Sequence, residues 1–94
     1  MIPTNRNTTQ PSPNADQIET VRHAVRQPGK EGATYRFTLE EKKALGDVIY
    51  SYKASAIRTS ENEIVRIGVN WLIDDYRRNG GRSVLARVLE RLNA

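Results

Sequence analysis

Hydrophobic and polar residues change their spacing several times along this chain, and each spacing predicts a different element. Residues 34–39 alternate strictly between polar and apolar side chains, which is typical of a short β-strand. One face of that strand would carry Tyr35, Phe37 and Leu39, and the other would carry Thr34, Arg36 and Thr38. The chain contains no second alternating run of similar quality. Because a strand needs a neighbour, we expect the partner strand to come from a second copy of the chain.

Helical spacing follows this strand. Thr38 can cap a helix that begins at Leu39 and has two glutamates in its first turn, where the helix dipole favours negative charge. Its apolar stripe consists of Leu45, Val48, Ile49, Tyr52 and Ala56. A second helix is predicted after Ser60, which with Glu63 has the spacing of a reciprocal capping box. Asn79, Gly80 and Gly81 end that helix, and Ser83 can cap a third with its own apolar stripe.

The second helix carries more apolar residues than one neighbouring helix could cover. They include Ile64, Val65, Ile67, Val69, Trp71, Leu72, Ile73 and Tyr76. Such a helix must be buried on several sides, and a domain of this length cannot do that alone. We therefore expect an obligate homodimer built around it, with Gly68 permitting close approach of the two backbones. The predicted dimer core consists of Tyr35, Phe37, Ile64, Ile67, Gly68, Trp71 and Leu72.

The first third of the chain has a different composition. Residues 1–32 hold all four prolines and no aromatic residue, which predicts a flexible, disordered N-terminal arm. Within it, Ala15–Gln27 has the spacing of one short helix that is too small to be stable alone in water. The folded domain is expected to span residues 33–94.

Composition and charge narrow the class of function. The chain has 94 residues and a net charge of +4, and it has no cysteine, which removes disulfides, thiolate nucleophiles and the usual zinc sites. No paired acid and base, phosphate-binding glycine loop or metal-ligand cluster appears, so we expect neither an enzyme nor a cofactor or metal. The sequence also has no apolar stretch approaching the roughly 20 residues of a membrane span, and we expect a cytoplasmic protein.

A short strand, a helix, a capped turn and a largely apolar second helix are similar to the ribbon-helix-helix superfamily of the Arc and MetJ repressors. The resemblance is carried by TYRFTLEE at residues 34–41 and RTSENEIVRIGVNWLI at residues 58–73. It implies a mainly α fold, in which two chains pair their strands into an intermolecular antiparallel β-ribbon that enters the DNA major groove. It further implies base contacts from Thr34, Arg36 and Thr38, and phosphate contacts from Arg58, Thr59 and Ser60 at the start of the second helix.

The arm before the fold and the extra C-terminal helix refine this resemblance. An arm in that position is similar to plasmid-partition centromere-binding proteins of the ParG and small ParB type, which act as adaptors to a ParA-type ATPase and in some cases repress their own operon. By the same resemblance, Arg22 and Arg26 are candidates to stimulate the ATPase. Two alternatives stay open. The chain could be a transcriptional repressor or antitoxin of the same fold, or a helical protein-interaction module that does not bind DNA.

Overall fold

The computed structural model describes residues 14–28 and 30–94, which form four α-helices and one short 3₁₀-helix. The elements are α1 (Ala15–Val25), α2 (Leu39–Ala54), α3 (Glu61–Asn79), the 3₁₀-helix (Gly80–Arg82) and α4 (Val84–Leu92). The long helix α3 lies at the centre. Helices α1 and α4 pack against it closely, whereas α2 touches it over a smaller area. The three helices predicted after residue 38 are therefore present, in the predicted order.

Each helix begins at a polar side chain that accepts a hydrogen bond from a free backbone amide of the first turn. These N-caps are Asn14, Thr38, Ser60 and Ser83. A complete capping box forms at α2, where the Glu41 amide donates to the Thr38 hydroxyl and the Thr38 amide donates to the Glu41 carboxylate. The box predicted at α3 is only half formed, because the Glu63 carboxylate accepts a hydrogen bond from the Thr59 hydroxyl at 2.8 Å instead.

Helix α2 is shorter than its apolar stripe predicts. It ends at Ala54, and Ala56 adopts a left-handed conformation with φ of 61°. The Ile57 amide donates to the Tyr52 carbonyl and the Ala56 amide to the Lys53 carbonyl, which are the two bonds of a Schellman motif. Glycine is the usual residue at this left-handed position, so the sequence gives no warning of this helix end.

The strand predicted at residues 34–39, and with it the intermolecular antiparallel β-ribbon of the predicted fold class, is contradicted. Residues 30–38 adopt no regular secondary structure, and no strand occurs in 14–28 or 30–94. The alternation instead reflects two different environments. Phe37 is half-buried beside α2 and α3, whereas Thr34 and Arg36 are exposed. Leu39 departs even from this pattern, because it begins α2 and is 89% exposed. An alternation of polar and apolar residues indicates which side chains contact other residues. It does not show that a second strand is available for pairing.

Helix α1 packs against α3 and is held there at its C-terminal end. Val21 and Gln17 are buried in this contact. The Arg66 guanidinium of α3 donates hydrogen bonds to the carbonyls of Ala24 and Val25, with 3.1 Å to the Ala24 oxygen. A cation at this position interacts favourably with the last carbonyls of the helix and with the helix dipole, and it adds to the hydrogen bond that the Gln27 amide donates to the Ala24 carbonyl. The helical segment of the predicted arm thus lies against the domain. The predicted boundary at residue 32 stays a prediction, and residues 1–13 lie outside the described part of the chain.

Two buried aspartates of α3 fix the start of α4. Asp75 accepts hydrogen bonds from the Val84 amide and the Asn79 side chain, both at 2.7 Å. Asp74 forms an ion pair with Arg78 at 2.7 Å. Ser83, the N-cap of α4, is completely buried. The turn between the two helices is therefore organised by polar contacts, with Gly80 at φ of 51° ending α3.

The apolar core is incomplete. Among residues 14–28 and 30–94, Val21 is the one apolar side chain that is buried, and α2 contributes no buried residue. The apolar stripe of α2 does not pack completely against α3. Two open grooves of about 300 and 250 Å³ lie between the helices, and Val48 lines both. A domain of this size normally buries more than half of the surface that its unfolded chain exposes. Much apolar surface is thus left uncovered by the chain itself.

Candidate nucleic-acid interface

The segment that joins α1 to α2 is attached to the helices by its aromatic residues. The Tyr35 hydroxyl donates to the Asn62 side chain at 3.4 Å. The rings of Tyr35 and Phe37 meet edge to face, with centroids 5.2 Å apart. Phe37 also lines the apolar groove between α2 and α3, together with Leu45, Val48 and Val65. Tyr35 and Phe37 thus connect the segment to α2 and α3 although it has no regular secondary structure.

Two of the three predicted base-contacting residues make no polar contact with the described part of the chain. Thr34 and Arg36 are exposed, and neither has a hydrogen-bond or salt-bridge partner among the described residues. Thr38 is also exposed, but its hydroxyl accepts the Glu41 amide at 3.0 Å as the N-cap of α2. Arg36 therefore has a guanidinium available for a ligand, whereas Thr38 already has a structural role.

The predicted phosphate-contacting residues lie together before α3, in a mixed electrostatic environment. Arg58 and Ser60 are exposed and Thr59 is half-buried. Two carboxylates share this helix end: Glu63 accepts from Thr59, and Glu61 pairs with Lys42 of α2 at 2.9 Å. A phosphate here would approach free amides but also meet negative charge. Of the three predicted residues, Arg58 alone brings a positive charge.

The residues predicted to form the dimer core are poorly covered within one chain. The half-buried members are Phe37, Ile64, Trp71 and Leu72, and the exposed members are Tyr35, Ile67 and Gly68. Apart from its chain neighbours and the backbone of its own helix, no atom of the described residues lies within 4 Å of the position that a Cβ on Gly68 would occupy. Close packing within the chain therefore does not require this glycine. The Trp71 indole nitrogen is buried and has no hydrogen-bond partner among the described residues, and a buried donor in that state is costly.

The two arginines predicted to act on an ATPase are exposed on α1. Arg22 donates to the Glu19 carboxylate, with the closest contact at 3.0 Å. This hydrogen bond, with the attraction between the two charges, holds the pKa of Glu19 below its ordinary value and raises the pKa of Arg22. Arg26 is the C-cap residue of the same helix. Both arginines line a groove with Ile67 of α3, whereas Val21 is buried, so a partner could reach the arginines without displacing α1 but could not reach Val21.

Sequence reasoning missed the polar residues that position the helices. Arg66 anchors α1, and Asp74 and Asp75 anchor the turn into α4. One signal was available for the aspartates, since two adjacent acidic residues interrupt an apolar helix and stand four residues before Arg78 and Asn79. No comparable signal pointed to Arg66, because its acceptors lie more than forty positions away in the chain.

Neither a metal centre nor a membrane-spanning helix is found in the part of the chain that the structure describes. No group of three potential ligands from His, Cys, Asp and Glu occurs in residues 14–28 and 30–94. None of the helices there has the length and apolar character needed to cross a bilayer. Comparison with protein-family models, with curated proteins and with solved structures gave no match for this chain.

Proposed function

We propose that this protein is a cytoplasmic homodimer that binds specific sequences in double-stranded DNA and performs no catalysis. The observation that carries this proposal is the segment 33–38. Its aromatic residues contact α2 and α3, while Thr34 and Arg36 are exposed and have no partner among the described residues. A side chain that reads a base edge needs this combination of a segment attached to the fold and a free polar end.

The chemistry of Arg36 and Thr34 suits base recognition. A guanidinium can donate two hydrogen bonds to the O6 and N7 atoms of guanine in the major groove, and a threonine methyl can contact the methyl group of thymine. Arg58, beside the free amides that begin α3, is placed to contact a backbone phosphate together with Thr59 and Ser60. The proposal does not require the segment to form a strand.

The homodimer follows from the apolar surface that one chain leaves open. Leu45, Val48 and Val65 line one groove between α2 and α3, and Ile64 and Ile67 line the next. Covering a large aliphatic side chain completely contributes about 1.5–3 kcal/mol. A second copy of the chain is the partner that is always present to cover these grooves. A dimer would also bring two copies of the segment 33–38 to one DNA site.

The finer biological role is proposed from the resemblance to plasmid-partition proteins. In this role the dimer binds repeated centromere sites, acts as a ParB-type adaptor to a ParA-type ATPase, and represses its own operon when those sites overlap the promoter. The exposure of Arg22 and Arg26 on α1 is compatible with contact to such an ATPase. ATP turnover with wild type, Arg22→Ala and Arg26→Ala in the presence of bound DNA tests this role separately from DNA binding.

A protein-interaction module is the second candidate, and helix α4 favours it. Val88 and Leu89 are about half exposed, and Leu92 is 73% exposed, so α4 presents an apolar stripe without a partner in this chain. In that case the positive charge has no specific role. Binding to duplex DNA that survives random competitor and falls steeply with salt would exclude this candidate as the sole function.

The test begins by selecting duplexes that bind the wild-type protein from a random-sequence library. Arg36→Ala should weaken binding to the selected duplex by about 1–3 kcal/mol, and should weaken binding to a scrambled duplex much less. Lys53→Ala, which removes an exposed charge from the far end of α2, is the matched control and should leave the difference between the two duplexes unchanged. Sedimentation at micromolar concentration should give two chains.

Three outcomes would count against the proposal. Failure to enrich any sequence would remove specific recognition, and a folded monomer at micromolar concentration would remove the dimer. Equal weakening of both duplexes by Arg36→Ala would reassign Arg36 to the phosphate backbone.

A further inference from the structure

Positive charge is distributed unevenly within the folded part of the chain. Residues 33–63, which contain all the predicted DNA-contacting residues, hold five Lys and Arg against five Asp and Glu. Residues 64–94 hold six Lys and Arg against three Asp and Glu. Within residues 33–94, the surplus of positive charge therefore lies in residues 64–94, which exclude the two glutamates of the first turn of α3.

Burial of acidic groups strengthens this imbalance at the surface. Asp74 and Asp75 are buried, and their oxygens are engaged by Arg78, by Asn79 and by the Val84 amide. Glu90 is consequently the one exposed carboxylate side chain among residues 64–94. The carboxylates that would neutralise this region in the sequence are thus used inside the fold.

Five arginines of this region are exposed, and one of them, Arg78, is paired with Asp74. We call the other four the C-terminal arginine surface: Arg77, Arg82, Arg87 and Arg91. None of them forms an ion pair among the described residues. Arg87 and Arg91 are four residues apart on α4 and line one open groove of about 430 Å³. Helix α4 follows Arg82 and carries Arg87 and Arg91. Its nine residues give a length of about 14 Å, which spans several phosphates of a DNA duplex.

Stabilisation of the helix dipole explains only part of this set. Arg77 and Arg91 lie in the last turns of α3 and α4, where positive charge is favourable. Arg82 precedes α4 and Arg87 lies within it, so a positive charge there has no such benefit for α4. A ligand with several negative charges accounts for all four positions.

We propose that the C-terminal arginine surface binds the phosphate backbone of duplex DNA without regard to sequence. It supplies phosphate contacts in addition to those proposed for Arg58, while the region around Arg36, whose charges cancel, supplies the selectivity. This division rests on the DNA-binding function proposed above. Arginine donates several hydrogen bonds and keeps its charge at every physiological pH, which suits phosphate contacts.

The test compares two variants of the full-length protein that lose the same formal charge. Arg82→Gln with Arg87→Gln removes two arginines of the surface, and Lys43→Gln with Lys53→Gln removes two exposed lysines of α2. The probes are the selected duplex and a scrambled duplex of equal length, each titrated between 50 and 200 mM salt. Circular dichroism and sedimentation verify that both variants keep the helices and the association state.

The arginine variant should lower the slope of log affinity against log salt by about 1.8 per chain, if both residues contact phosphates. That change makes the fall in affinity between 50 and 200 mM salt about twelvefold smaller per chain. Affinity for both duplexes should decrease by the same factor, so the preference for the selected duplex stays constant. Lysine at both positions should restore most of the slope, whereas the α2 variant should keep the wild-type slope.

Several results would overturn this assignment. An unchanged slope in the arginine variant, or an equal change in the α2 variant, would mean that the surface makes no local phosphate contact. A further probe is vesicles of equal parts phosphatidylserine and phosphatidylcholine. If wild type binds them and the arginine variant does not, with the DNA slope unchanged, the arginines and the apolar stripe of α4 would belong to a membrane-binding surface instead. If wild type binds neither duplex, the proposed function itself fails. If wild type binds and only the slope prediction fails, this surface alone is wrong.

Discussion

Replacing Asp75 by alanine should detach α4 from α3, because this carboxylate is the main polar contact between them. Asp75 is 5% exposed, and its two oxygens accept hydrogen bonds at 2.7 Å from the Val84 amide and the Asn79 side chain. The Asn79 side chain is exposed and can turn to water after the substitution. The Val84 amide belongs to the backbone and cannot turn.

The magnitude follows from these two contacts. A hydrogen bond to a charged group contributes about 1.5–3 kcal/mol, and a buried donor left without an acceptor costs about 1–3 kcal/mol. Alanine improves helix propensity by up to about 0.7 kcal/mol, which offsets part of the loss. We expect Asp75→Ala to lower the free energy of unfolding by about 2–3 kcal/mol. Asp75→Asn keeps one acceptor oxygen and should cost less.

Urea denaturation followed by circular dichroism measures this change, at one fixed protein concentration because association affects the apparent stability. Asp47→Ala is the matched control, since Asp47 is an exposed aspartate within α2 and gains the same helix propensity. Amide hydrogen exchange should show that protection is lost first in α4. A loss below about 0.5 kcal/mol relative to Asp47→Ala, with α4 amides still protected, would refute the reasoning.

Four further predictions concern single contacts of the fold. Ala56→Gly should raise the free energy of unfolding by about 0.5–1 kcal/mol, because glycine adopts the left-handed conformation without strain; a decrease in urea titration would contradict this. Thr38→Ala should lower the free energy of unfolding by about 1 kcal/mol through loss of the α2 capping box, and Thr38→Ser should retain most of that stability. Arg66→Met should abolish exchange protection in α1 while α3 and α4 stay protected; unchanged α1 protection would show that the buried contacts of Val21 and Gln17 hold the helix without Arg66. In an NMR titration the Glu19 carboxyl should have a pKa below its ordinary value, and Arg22→Gln should raise it toward that value because Arg22 is the largest cause of the shift. Since the folded pKa is depressed, the contribution of this pair is present above the ordinary value and is lost as pH falls through the folded pKa.

The prediction of a strand at residues 34–39 was wrong for a physical reason. The alternation of residues 34–39 correctly separated the anchored Phe37 from the exposed Thr34 and Arg36. It could not identify what Phe37 packs against, which is the groove between α2 and α3. Strand formation depends on hydrogen bonds to another backbone segment, and that is a property of the assembled structure rather than of six residues.

Local signals in the sequence determined the helices and most of their starts. Thr38, Ser60 and Ser83 are N-caps as their spacing predicted, because a cap needs only amides two or three residues away. The Schellman motif at Ala56 was not predictable in this way, since alanine is an unusual residue at a left-handed helix end. The exposure of Arg36, on which the candidate interface rests, also agrees with the sequence pattern.

Contacts between distant residues were decided only by the tertiary structure. Arg66 binds carbonyls of α1 that lie about forty residues earlier, and Asp75 binds the first amide of α4 across a turn. Burial of Asp74 and Asp75 then determines which charges remain on the surface, so the arginines of the C-terminal end outweigh its acids more than the sequence suggests. Sequence spacing encodes hydrogen bonds within one helical turn. The partner of a buried charge depends on which helices meet, and only the packed chain determines that.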